Sequence, residues 1–224
     1  MSTNSCVRCS IFAIVSPQVN LYIIRHGESI DAVAGLNQRS DSGLSEMGLK
    51  QAGALAERLS KIQADLVLAS PFARTKQTAE IVAKRLGKQI EYSDLLVEER
   101  MPSEIVGKRS LKPDILRIRR SLWDNFADPN WKFSDWETFF ELRSRAGKAI
   151  KYLTGLTDEN VILVTHGAFT AMLLCVMWFG ETVEPTIYQK FRNFFWDHNT
   201  GITWCVYDGK KWKMLTWNDY AHLG

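Results

Sequence analysis

No stretch of this 224-residue chain approaches the roughly 20 apolar residues that a membrane span needs. The longest apolar run, Ala168 to Phe179, reads as a buried helix, and Ile11 to Val15 is too short for a signal-peptide core. A surplus of one charge is also missing. Lys and Arg number 28 against 25 Asp and Glu, a formal net charge of +3. That is too small to indicate nucleic acid or a membrane surface as a partner. Repeats and low-complexity stretches are absent, so no repeat architecture is expected. Cysteine is sparse, with four residues. Cys6 and Cys9 form a Cys-x-x-Cys pair, but a zinc site needs two further ligands and no second pair exists. A redox pair would follow a strand and open a helix, which this one does not. Cys175 and Cys205 fall in apolar runs and read as buried thiols. Free thiols suit a reducing compartment, so a soluble, cytoplasmic protein is expected.

What is present suits one large globular domain. A chain of this length buries roughly 70% of its unfolded surface and needs no staples. Residues 1–18 read as a flexible leader and 19–224 as the domain. Short apolar strands are predicted at 20–25, 65–69, 89–92 and 161–164. Between them lie helices from Ser45 to about Ile62, from Pro71 to Leu86 with Gly87 as the stop, and from Asp135 to Leu153. A helix from Ala168 and another over 185–193 precede two last strands, 201–207 and 211–217, joined at Asp208-Gly209. This alternation predicts a three-layer α/β fold, with a mainly parallel central sheet, helices on both faces and a C-terminal β-hairpin. Residues 101–134, with a helix at 113–126, read as a helical cap insertion. The Arg117, Arg119, Arg120 run reads as a solvated face of that helix.

Polar groups arrive abruptly at three strand ends. The first strand ends in Arg25-His26-Gly27, where a glycine would let a ligand approach the backbone. The second ends in Ser70, with Arg74 one turn into the next helix, and the fourth in Thr165-His166-Gly167. Parallel strands present their carboxyl ends on one edge, so these groups converge. The chain has only four histidines, and two occupy the same strand-end position before Gly and a helix. Two imidazoles and two guanidiniums around one cleft repel unless an anion sits among them. Arginine grips a tetrahedral oxyanion with paired donors, and its field favours a neutral, nucleophilic imidazole. Backbone N–H groups at Gly27 and after His166 would add donors. The guest this chemistry suits is a phosphoryl group, whereas two arginines oppose a metal ion. The leaving oxygen needs a proton donor, and Glu98, Glu99 and Glu104 follow the third strand.

Arg25-His26-Gly27-Glu28, Ser70-Pro71-x-x-Arg74, Leu96-Val97-Glu98 and Thr165-His166-Gly167 together resemble the histidine phosphatase superfamily, or phosphoglycerate mutase-like family. Asp41 to Gly48, Thr75 to Ala79 and the closing segments after Asn199 and Trp217 extend the likeness over about Leu21 to Leu223. The resemblance implies that His26 carries a phosphohistidine, that Arg25, Arg74 and His166 bind the phosphoryl oxygens, and that Glu98 is the acid and base. It gives Gly167 and Thr165 a place at the pocket floor, and implies neither metal nor organic cofactor. Asp31 and Ala32 stand where glycolytic mutases carry Trp-Asn, and Asn37-Gln38-Arg39-Ser40 replaces an aromatic segment. Those departures favour hydrolysis.

The expected activity is therefore a metal-independent histidine acid-type phosphatase acting on a phosphorylated small molecule or phosphopeptide. The alternatives are a phosphoglycerate-type mutase and a low-turnover phospholigand-binding protein. Glu104 stays open as a rival proton donor, and monomer and homodimer both stay open. Trp123, Phe126 and Trp131 read as core packing, with contact to an aromatic leaving group as the alternative. Arg109, Lys112 and Arg117 read as solvated, with contact to a second acidic group as the alternative.

Overall fold

The computed structural model describes residues 18–194 and 197–224. Cys6, Cys9, the run Ile11 to Val15 and all of the expected leader except Gln18 lie outside them. Six strands form one sheet: β1 Val19–Arg25, β2 Leu66–Ala69, β3 Ile90–Tyr92, β4 Asn160–Thr165, β5 Ile202–Tyr207 and β6 Trp212–Asp219. Their order is β3-β2-β4-β1-β5-β6. The first four run parallel, and β5 and β6 add an antiparallel edge. The helices are α1 Ile30–Val33, α2 Glu46–Leu59, α3 Ala73–Leu86, α4 Pro113–Asp124, α5 Phe139–Thr154, α6 Gly167–Phe179 and α7 Pro185–Phe194. Among the described residues no helix is long and apolar enough to cross a membrane.

The period-2 pleat of β1 explains the three layers. Leu21 and Ile23 face a core shared with α5 and α6, while Tyr22 and Ile24 face one shared with α2 and α3. Each fully buried aliphatic side chain contributes about 1.5–3 kcal/mol, so the apolar half of β1 anchors its polar tip firmly. Cys175 and Cys205 are buried in the first core and unpaired, and burial pushes both thiols up to about 12.

Several boundaries differ from the predicted ones for local reasons. Pro71 does not open α3, because Phe72 takes the extended N-cap conformation and the helix starts at Ala73. Asp135 and Trp136 precede α5, whose start is set at Thr138 by a reciprocal capping box with Glu141. Trp136 still packs in the core from outside the helix. Leu49, placed in the buried stripe of α2, is 47% exposed. The β5–β6 connection runs one residue further than predicted, to 211, because Asp208 accepts from the N–H groups of Lys210 and Lys211.

Backbone pairing continues past the strands and aligns the polar tips. His26 N–H donates to Thr165 O at 3.0 Å and Ser70 N–H to Val164 O at 3.1 Å. The carboxyl ends of β1, β2 and β4 thus share one sheet edge, where α/β sheets bind ligands.

Candidate active site

His26 sits at the tip of β1, 2% exposed. Its Nδ1 lies 2.7 Å from Gly27 O, which can only accept, so Nδ1 carries the proton. Nε2 keeps its lone pair and accepts from Arg74 Nε at 3.0 Å. Burial first, then the charges of Arg74 and Arg25, hold the imidazole well below its ordinary value of 6.5. The ring is therefore neutral at pH 7, with Nε2 as the reactive atom.

Arg74 reaches it from the first turn of α3. Burial lowers its guanidinium to about 10, so it stays charged at neutral pH. Thr78 ties this turn to the tip of β1: its hydroxyl accepts from Gly27 N at 3.1 Å and donates to Arg74 O at 2.8 Å. The Gly27 N–H is consequently not available to an anion, contrary to the sequence expectation. Nor does Gly27 make room for a ligand. A Cβ there would stand 2.7 Å from Gly48 O, so the glycine admits the start of α2 against the tip.

His166 ends β4 and is wholly buried, its ring centroid 5.1 Å from that of His26. Ser70 Oγ meets its Nε2 at 2.9 Å, and Nδ1 has no hydrogen-bond partner among the described residues. Burial, then Arg74 and His26, depress this histidine well below 6.5 too. Both rings charge more readily in the unfolded chain, so stability is full above about pH 6.5 and falls as pH drops toward the folded-state values. The slope is up to about 1.4 kcal/mol per pH unit for each ring. Urea midpoints between pH 7.5 and 5.5 are expected to fall less steeply in His166→Gln than in wild type. Equal slopes would rule out a buried neutral His166.

Glu98 arrives on the segment after β3. Its Oε1 accepts from Phe169 N at 2.9 Å and its Oε2 from Ala168 N at 3.3 Å, so it caps the first turn of α6. Two of the N–H groups expected to bind an anion are therefore taken by this carboxylate. Thr165 does not spend its hydroxyl on the pocket floor, because that group donates to Leu96 O at 2.7 Å. Arg25 donates from Nη1 to Asp197 O at 2.6 Å and lies 3.3 Å from Asp197 Oδ1. Burial raises the Asp197 carboxyl above its usual range.

Arg25, Arg74, Glu98, Gly167 and Asp197 line one cavity of about 520 Å³, ample for a small ligand. His26 and His166, both buried, are not among its lining residues. Glu104 does not line it, which separates the rival carboxylates by position, whereas Glu99 does. Arg119, expected to be solvated, lines it too, held by a 3.0 Å bond from Nη1 to Asn37 Oδ1. Arg109, Lys112 and Arg117 do not.

Reading by strand ends missed Asp197, Glu137 and Arg145. Arg145, 7% exposed, donates from Nη1 to Leu95 O and Val97 O at 2.9 and 2.7 Å, and from Nη2 to Glu98 O at 3.2 Å. Its Nε and Nη2 also grip the buried Glu137 carboxylate, both at 2.7 Å. The guanidinium lies over the Phe169 ring. One side chain thus fixes the backbone that carries Glu98. No motif marks Arg145; its only sequence signal is an arginine on the buried stripe of α5.

The family model described as Histidine phosphatase superfamily (branch 1) matches residues 21–220. Phosphoglycerate mutase-like protein 4 of Arabidopsis thaliana is 27% identical over 91% of this chain and 86% of its own. A metal-independent phosphoserine phosphatase of the same plant is 27% identical over 94% of this chain and 85% of its own. The crystal structure of an Entamoeba histolytica phosphoserine phosphatase mutant with phosphoserine superposes with a TM-score of 0.72. It is 23% identical, and the match covers 92% of this chain and all of the other.

Proposed function

The chain belongs to the histidine phosphatase superfamily, and on that premise we propose that it hydrolyses small phosphomonoesters through a phosphohistidine on His26. The observation that carries this reading is the state of His26: a neutral ring with Nδ1 protonated and Nε2 pointing at Arg74. A phosphoryl group entering the cavity takes over the Arg74 donor and meets Arg25 beside it. Nε2 attacks phosphorus, the ester P–O bond breaks, and Glu98 passes a proton to the leaving oxygen. Glu98 then takes a proton from water, whose oxygen attacks phosphorus as the N–P bond breaks. Arg25, Arg74 and His166 stabilise the charge on the phosphoryl oxygens in both steps. No step needs a metal.

Phosphoserine phosphatases and mutase-like proteins among the relatives support a small phosphorylated metabolite as substrate. Residues 101–134 act as a cap over the cavity, to which Met101, Val106 and Arg119 contribute. Hydrolysis is favoured over mutase activity because Asn37 and Gln38 line the cavity where a second anchor for a retained phosphorylated product would be needed. The buried free thiols fit a cytoplasmic setting.

The test is a panel of phosphomonoesters, phosphoserine and 3-phosphoglycerate among them, assayed with chelator present. Release of inorganic phosphate is expected. Isomerised 3-phosphoglycerate without phosphate release would favour the mutase reading, and no turnover of any ester the binding-protein reading.

A further inference from the structure

Beside the candidate active-site cavity lies a smaller one of about 130 Å³. The two share four lining residues, Glu99, Met101, Arg119 and Arg192. Beyond that shared rim the smaller cavity is walled by side chains of α4, the segment after it and α7: Leu122, Trp123, Phe126, Trp136 and Tyr188. The walls are packed against one another. Phe126 stacks on Tyr188 with centroids 5.6 Å apart, and it also meets Trp123 and Trp136 at 5.8 and 6.0 Å. At about 130 Å³ it is slightly smaller than the roughly 150 Å³ apolar cavity that takes up benzene, so one flat ring is the largest group it holds.

The rim is polar and unevenly satisfied. Glu99 Oε1 accepts from Trp136 Nε1 at 3.3 Å, and burial raises the Glu99 carboxyl above its usual range. Arg192 is half-buried and makes neither a hydrogen bond nor an ion pair with another described residue, although Glu98, Glu99 and Asp197 all act on it electrostatically. Its guanidinium stands on the passage between the two cavities, placed to donate to a ligand that spans both.

We infer that the smaller cavity is a subsite for the alcohol portion of the substrate. It would take a phosphomonoester of an alcohol that ends in one planar apolar ring, with Arg192 donating to an acceptor between phosphate and ring. This rests on the phosphatase reading and narrows it to a substrate class. Trp123 and Phe126 thereby gain contact with the leaving group, while Trp131 lies outside the cavity.

The experiment compares 2-phenylethyl phosphate with ethyl phosphate, whose leaving alcohols have similar basicity. The ring is expected to raise kcat/KM by about 100-fold, the scale of discrimination open to an apolar pocket. Leu122→Trp fills the cavity and is expected to bring that ratio close to one. Binding of 2-phenylethylphosphonate and ethylphosphonate to wild-type protein gives the same comparison without turnover. Ring-selective binding with neither ester hydrolysed upholds the subsite and overturns the hydrolase reading. Hydrolysis of both esters at equal efficiency, or equal binding of both phosphonates, overturns the subsite whatever the variant does.

Discussion

Replacing His26 with alanine is expected to remove the covalent intermediate altogether and lower turnover by roughly 10⁴- to 10⁶-fold, the scale seen when an enzyme loses its nucleophile. The geometry makes this sharper than a generic loss of a site residue. His26 Nε2 is the acceptor for Arg74 Nε, and its tautomer is fixed by Gly27 O. His166 is not expected to substitute, because it is wholly buried and follows another strand, β4. Wild-type protein quenched during turnover of a labelled phosphomonoester should yield a phosphoprotein that survives base and is lost in acid. Undiminished labelling of His26→Ala would sink the mechanism. A melting transition close to that of wild type would show that the loss is chemical.

The second large effect is expected far from any recognised motif. Arg145→Met removes one member of a buried ion pair and leaves Glu137, 5% exposed, without its main counter-charge. Breaking such a pair from one side costs about 3–5 kcal/mol, whereas replacing both partners is often close to neutral. Arg145→Met should therefore be strongly destabilised in urea, and Arg145→Met/Glu137→Gln should recover the part of that loss due to the unpaired carboxylate. Activity should not recover with it. The backbone at Leu95, Val97 and Glu98 would still lack its donors, and Glu98 would lose its set position against α6. General-acid catalysis is worth about 10²- to 10⁴-fold, and it matters when the leaving oxygen is basic. The double variant should thus be slowed by about that factor on alkyl phosphates and much less on nitrophenyl phosphates. Equal slowing of both substrates would show that Arg145 does not act through the proton donor.

Much of the fold was legible because its signals are local. β1, β2 and β4 are buried on both faces and so read as short unbroken apolar runs. α2 and α5 carry an amphipathic period, and α2 also its capping residue Ser45. Element ends were less legible where a side chain overrides propensity, as at Asp208 in the last hairpin. The cradle residues were legible for a related reason. A polar residue that interrupts a buried strand run can only stand at its end, and ends of parallel strands share an edge.

The placement of Arg25, His26, Arg74 and His166 at one sheet edge was therefore set by the sequence itself: strand burial fixes the tips after β1 and β4, and Arg74 follows β2 by the first turn of α3. Only the tertiary structure decided how their polar atoms are partnered. Which nitrogen of His26 is free depends on Gly27 O and on Arg74, and the latter stands 48 residues away. Whether Gly27 offers its N–H depends on Thr78, and whether Glu98 or Glu104 meets the cavity depends on the α6 terminus and on Arg145. Such choices rest on hydrogen bonds across large sequence separations. Their partners are selected by packing, and no period or spacing along the chain encodes them.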